Sequence, residues 1–167
     1  MDEKLTILKI LLPDAVLKAM TPEAVKAAPL GKIESGLIRI ESFPFRVGRE
    51  ARVAFVDGEL LILDRRRKTG HEKPNNDLYL HDSGETLNIS REHFQIDSTP
   101  DGYVLVDRGS ACGTSVNGVS VGGNDAGGSV SLNDGDTIGI GNESTPYLFS
   151  FVANLKQNLP GDRLRPP

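Results

Sequence analysis

The 167-residue chain has one cysteine, Cys112. That excludes an internal disulfide framework and any zinc site built from several thiolates. No run approaches the ~20 apolar residues that a bilayer-spanning helix needs; Pro13 and Asp14 interrupt the apolar stretch near the start. The opening Met1-Asp2-Glu3-Lys4 is charged and mostly acidic, a poor secretory signal, so the expected setting is cytoplasmic. In that setting the triplets Asn88-Ile89-Ser90 and Asn142-Glu143-Ser144 read as chance matches to a glycosylation signal. A cationic excess is missing as well. Nineteen Lys and Arg against 23 Asp and Glu give a formal charge of −4, which argues against broad nucleic-acid binding.

Common catalytic motifs are also missing. Gly31-Lys32 is followed by Ile33, so no phosphate-binding loop ends in Gly-Lys-Ser/Thr, and His71-Glu72 lacks a second His at metalloprotease spacing. The glycine-rich stretch 122–128 lies between short strands, without a helix whose N-terminus would bind an anion. No metal or cofactor is expected.

Eighteen glycines and ten prolines are present, more than average, and favour a turn-rich, β-rich chain over a helix bundle. Glycine is nonetheless absent from the first thirty residues. There Leu5, Leu8 and Leu12, with Ile7 and Leu11, have helical spacing. Thr21-Pro22-Glu23 offers an N-cap, a proline at the first helical position and an early acid. The pattern predicts helices over 4–12 and 14–28, with a strand as the alternative for Thr6 to Leu12. Residues 1–30 are thus expected to be a helical N-terminal extension. Its apolar faces would pack on the rest of the chain, bind another subunit, or join a larger complex.

From Gly36 onward, short strands alternate with turn residues, as in a sandwich or barrel. The expected strands are Leu37–Glu41, Phe45–Gly48, Arg52–Val56, Glu59–Leu63, Leu78–His81, Glu92–Ile96, Tyr103–Asp107, Ser115–Val116, Ser129–Leu132, Thr137–Ile140 and Tyr147–Val152. Asp57-Gly58, Asp101-Gly102, Asn117-Gly118 and Asp134-Gly135 punctuate them with residues that tight hairpins favour. The β-sandwich is expected over 31–154 and a polar tail over 155–167.

Five segments in order stand out. They are Phe45-Arg46-Val47-Gly48-Arg49, Asn76-Asp77-Leu78-Tyr79-Leu80, Ile89-Ser90-Arg91-Glu92-His93-Phe94, the run from Val106 to Gly118, and the run from Leu132 to Gly141. As an ordered set over roughly Gly36 to Val152, they resemble a forkhead-associated (FHA) domain. The resemblance implies an all-β, eleven-stranded sandwich whose loops at one end bind phosphothreonine peptides. It implies that Arg49 and Ser90 contact the phosphate and that Arg91 helps hold the phosphate or the peptide backbone. Gly48, His93, Gly113, Asn117 and Gly118 take loop-structural roles. The fourth segment, Ser110-Ala111-Cys112-Gly113-Thr114, departs from the family's usual Ser-x-Asn-Gly-Thr. The peptide-contacting positions Ala111 and Cys112 therefore carry no hydroxyl and no amide. A second departure is the long interval 52–74, with the basic run Arg65-Arg66-Arg67-Lys68, which reads as an insertion that faces water or reaches toward an acidic or phosphorylated partner.

The chemistry is consistent with that role. A phosphorylated side chain carries three strong acceptor oxygens and nearly two negative charges. Arg offers a planar fork that matches phosphate, and Ser a compact donor. Charge-assisted bonds of roughly 1.5–3 kcal/mol each would support micromolar affinity, on the order of −8 kcal/mol. The expected function is recognition, downstream of a Ser/Thr kinase, of a phosphothreonine on a partner or on the chain itself. The alternatives are a phosphate-independent scaffold and, remotely, a hydrolase with Cys112 as nucleophile, His93 as base and Asp107 as orienter.

Overall fold

A computed structural model describes residues 2–50, 53–62, 74–84, 86–157 and 159–160. The expected basic run 65–68, His71 and most of the tail lie outside the described residues. The chain opens with helix α1 (Glu3–Leu11), whose N-cap Asp2 accepts from the Lys4 N–H at 3.0 Å. Leu12 caps its end, donating its N–H to the Leu8 carbonyl, and Pro13 follows, which cannot continue a helix. Helix α2 (Pro22–Ala27) starts as the sequence signals, with Thr21 Oγ1 accepting from the Ala24 N–H at 3.1 Å and proline at its start.

Between them the expected helix over 14–28 is not continuous. Residues Ala15–Ala19 form strand β1. Ala, Leu and Lys are good helix formers, but propensity is a weak prior beside tertiary pairing. β1 runs between β3 (Leu37–Ile40) and β14 (Leu148–Val152), with Leu17 opposite Ile38 on one side and Phe151 on the other. It buries Ala15 and Leu17 completely. The sandwich therefore begins at residue 15 and takes in half of the expected N-terminal extension.

The remaining strands are β2 (Ile33–Glu34), β4 (Phe45–Arg49), β5 (Val53–Val56), β6 (Glu59–Ile62), β7 (Leu78–Leu80), β8 (Phe94–Thr99), β9 (Gly102–Asp107), β10 (Thr114–Val116), β11 (Val119–Val121), β12 (Gly128–Leu132) and β13 (Thr137–Ile140). A seven-stranded sheet, β11-β10-β13-β14-β1-β3-β2, faces a five-stranded one, β12-β9-β8-β4-β7, and β5-β6 form a separate hairpin. Among the described residues the two sheets hold twelve strands, close to the eleven expected. They add β1, β2 and β11 to the expected set and leave β5 and β6 outside. Between the sheets lie Leu17, Ile38, Ile40, Phe94, Ile96, Leu105, Phe149 and Phe151, all buried. Among the described residues every strand pair is antiparallel except β4 with β7, where Arg49 stands beside Leu80. That parallel pair carries the end of β4 toward the loops before β8 and after β9.

The two helices differ in burial. α2 buries Ala24 and Ala27, and the Ala27 carbonyl accepts from the His81 N–H at 2.8 Å. α1 buries no residue and leaves Ile7, Leu8, Ile10 and Leu11 exposed. Arg39 Nη2 donates to its Leu11 carbonyl at 2.6 Å.

Candidate functional site

At one end of the sandwich three connections meet: the end of β4, the loop 86–93 before β8, and the turn 108–113 after β9. Gly48 makes the first approach possible. A Cβ there would lie 2.0 Å from the Arg91 carbonyl oxygen and 2.5 Å from Asn76 Nδ2. Glycine at 48 therefore lets β4 pass directly under the loop that carries Ser90 and Arg91. The next residue, Arg49, is tied to that loop by its backbone, the Arg49 N–H donating to the Ser90 carbonyl at 2.9 Å.

His93 organises the loop from inside. It is fully buried and uses both ring nitrogens. Nδ1 lies 2.9 Å from the Ser90 backbone nitrogen, and Nε2 lies 2.7 Å from the Gly113 carbonyl oxygen. The Ser90 N–H can only donate, so Nδ1 accepts and the proton sits on Nε2, donating to Gly113. Burial holds the His93 pKa below its usual value, against the opposing pull of the Gly113 carbonyl and of the Asp107 and Asp82 carboxylates. The neutral imidazole is thus a two-ended brace between the Ser90 loop and the 110–113 turn. Ser90 Oγ adds a third tie by accepting from the Ala111 N–H at 3.0 Å.

Two buried carboxylates shape the loops. Asp107 Oδ1 accepts from the Gly109 and Ser110 N–H groups, and Oδ2 accepts from the hydroxyls of Ser110 and Thr114 at 2.6 and 2.7 Å. Asp82 accepts from the N–H groups of Gly84, Asn88 and Ile89 and from the Tyr147 hydroxyl. Burial works to raise the Asp82 pKa, but these donors, Ile89 foremost, outweigh it and hold the carboxyl below its usual range. The matching effect on Tyr147, from burial and from the Asp82 bond, raises its pKa.

Around these supports lies an open depression of about 440 Å³, lined by Arg49, Ser90, Arg91, Ala111 and Arg108 among others, with Glu92 and Asp125 as its acids. Four of the five expected ligand-contacting residues are thus gathered at one place. Cys112 is not among them. It lines a second depression of about 640 Å³ beyond the turn, and its thiol lies 3.5 Å from the Leu87 carbonyl. The expected loop residues Asn117 and Gly118 form the β10–β11 turn, both with positive φ. There Asn117 accepts from the Thr137 N–H and donates to Asp136. They sit away from the arginine-lined depression.

Arg108 and Asn76 were not singled out from the sequence. Arg108 Nη1 donates to Asn76 Oδ1 at 2.6 Å, and Asn76 Nδ2 donates to the Arg91 carbonyl at 2.7 Å. Burial lowers the Arg108 pKa, with Glu92 opposing and Arg46 adding to the effect, without discharging a guanidinium. Both residues stand in the segments that carry the resemblance, but their meeting spans 32 positions and no local spacing reveals it.

The hydrolase arrangement is not assembled. The two ring nitrogens of His93 are taken up by backbone groups, and the Asp107 carboxylate is bonded to Gly109, Ser110 and Thr114. Among the described residues, no group of acids, histidines and cysteine has the geometry to hold a metal ion. No helix among them is long and apolar enough to cross a membrane.

Comparison with solved structures places the fold. An engineered FHA domain solved with a Myc-pTBD peptide is 19% identical at a TM-score of 0.50, with 86% of this chain and 94% of that one covered. The N-terminal FHA domain of Saccharomyces cerevisiae Rad53p, solved with a phosphothreonine peptide, is 19% identical at a TM-score of 0.49, covering 87% and 98%. Mycobacterium tuberculosis EmbR, solved with a low-affinity phosphopeptide, is 22% identical at 0.47; 84% of this chain aligns with 24% of EmbR. No curated protein matches. The model of the FHA domain family matches residues 45–141, more than half of the chain, and the chain belongs to that family.

Proposed function

We propose that this chain binds phosphothreonine peptides and couples the output of a Ser/Thr kinase to the assembly of a partner complex. The observation that carries this reading is the convergence of Arg49, Ser90 and Arg91 on one depression, with the Ser90 loop braced by a neutral, buried His93. The guanidinium of Arg49 matches phosphate in charge and plane, and the Ser90 hydroxyl adds a short-range donor. Side chains held in place before the ligand arrives lose little freedom on binding, which raises affinity for the same contacts. The partner is a phosphorylated protein, either a kinase or its substrate, and the chemistry is recognition without bond cleavage.

One observation favours a second reading, a scaffold that binds partners without phosphate. Ala111 offers only its backbone, and Cys112, whose thiol lies against the Leu87 carbonyl, does not line the arginine-lined depression. Titration of a degenerate phosphothreonine library and its unphosphorylated twin against wild type and Arg49→Ala separates the two. The phosphopeptide reading expects phosphate-dependent binding that falls tenfold to a hundredfold in the variant, about 1.5–3 kcal/mol for a charge-assisted bond. Equal binding of both libraries by wild type would favour the scaffold.

A further inference from the structure

Building on the phosphopeptide reading, we propose that Arg108 is a fourth anion-binding residue of the depression, beside Arg49, Ser90 and Arg91, and that Glu92 is the counter-ion it exchanges for an anionic oxygen of the bound peptide. Arg108 lines the same depression as Arg49, Ser90 and Arg91. Its side chain is only 14% exposed, while that of Glu92 is 53% exposed. The contacts of the guanidinium fall into two kinds. Nη1 donates to Asn76 Oδ1 at 2.6 Å, and Nη2 donates to the Asn75 carbonyl at 3.0 Å. The Asn76 side chain is itself buried and fixed at its other end by the Arg91 carbonyl. These contacts set the plane of the fork and do not depend on Glu92.

The third contact is of a different kind. Glu92 Oε1 accepts from Nη2 at 3.1 Å across a gap open to solvent. An exposed carboxylate in such a pair gains little and returns to water easily. A peptide anion arriving at a fixed, largely desolvated guanidinium forms a stronger, charge-assisted bond. Moving Glu92 aside also takes a negative charge away from an incoming dianion. Glu92 is therefore a competitor built into the site, and Arg108 a specificity-determining cation whose orientation is set in advance. The anionic oxygen belongs either to the phosphate or to an acidic side chain beside the phosphothreonine.

The test is a fluorescence-anisotropy titration of the full chain with two phosphothreonine peptides, one flanked by alanines and one by aspartates. Glu92→Gln is expected to tighten binding at least threefold. A gain on both peptides assigns the oxygen to the phosphate, and a gain on the acidic peptide alone assigns it to the flanking carboxylate. Arg108→Gln should weaken the same peptide at least tenfold, and adding Glu92→Gln to it should then bring no gain, as a double-mutant cycle requires. Glu92→Gln binding that is unchanged or weaker on both peptides, while Arg49→Ala still weakens phosphate-dependent binding at least tenfold, would overturn this proposal and leave the phosphopeptide reading intact. Wild type that ignores the phosphate would sink that reading and this proposal with it.

Discussion

The turn Ser110–Gly113 separates two depressions that differ in chemistry more than in size. Ala111 lines the first, with three arginines around it; Cys112, the next residue, lines the second. The second is the larger, about 640 against 440 Å³, yet beside Cys112 and Leu148 its wall is made of hydroxyls, glycines and amides, with Glu143 as its one charged lining residue among the described residues. Volume is therefore a poor guide to where the cationic side chains gather. The smaller depression has the cationic donors, because β4 delivers Arg49 beneath the Ser90 loop and the β9 end delivers Arg108 beside it. The larger one sits over β10 and β13, where the Ser115–Gly139 pair offers a short hydroxyl and no cation. A single change of direction in the chain thus divides a depression lined by three arginines from one that has no cation among the described residues.

Breaking the passage of β4 under the loop should have the largest effect. Gly48→Ala places a methyl group 2.0 Å from the Arg91 carbonyl, and relief requires moving backbone rather than a flexible side chain. Overpacking of this kind costs about 3 kcal/mol, so a clear drop in urea midpoint with loss of phosphopeptide binding is expected. A variant as stable as wild type would show that the close approach is not needed.

Acid should act on the brace. His93 has a folded pKa below its unfolded value of about 6.5, so in the window between the two the unfolded state binds more protons. Stability contributed by the neutral imidazole is complete above about pH 6.5 and is lost as the pH falls below it toward the folded pKa. Asp82, with its lowered pKa, loses its contribution only in a more acidic range, below the ordinary carboxylate value. Thermal unfolding followed from pH 7.5 to 5 should show the melting temperature falling, and His93→Gln should flatten that slope. A wild-type slope that persists in the variant would assign the effect elsewhere.

The smallest change sharpens the contrast between the two depressions. Ala111→Thr with Cys112→Asn restores a hydroxyl and an amide at the dividing turn. Together they should tighten phosphopeptide binding by about 1 kcal/mol, close to fivefold, for one neutral hydrogen bond. Isothermal titration calorimetry measures this directly; an unchanged affinity would mean that the peptide backbone does not cross the turn.

Much of the sandwich could be read in advance because its strands are bounded by glycine- and asparagine-rich turns and alternate in burial, as Leu37–Ile40 and Leu148–Val152 do. β1 could not. Its five residues suit a helix locally, and only pairing with β3 and β14, more than a hundred residues apart in the chain, makes them a strand. The candidate site divides in the same way. Arg49, Ser90 and His93 lie in compact segments whose order signals a binding loop, whereas Arg108 enters through the amide of Asn76, a contact set by the fold. Cys112 shows the reverse limit: its position in the segment matches, but its side chain turns to the Leu87 carbonyl.

The central claim is that a phosphothreonine dianion is held between Arg49, Ser90 and Arg91. Amide chemical-shift mapping by NMR tests it most directly, with a phosphothreonine peptide and its unphosphorylated twin titrated into the labelled chain. The account predicts phosphate-dependent shifts concentrated at Arg49, Ser90, Arg91 and Ala111, and little change at Ser115, Gly139 and Thr145. Shifts centred on that second group, or identical shifts from both peptides, would contradict it.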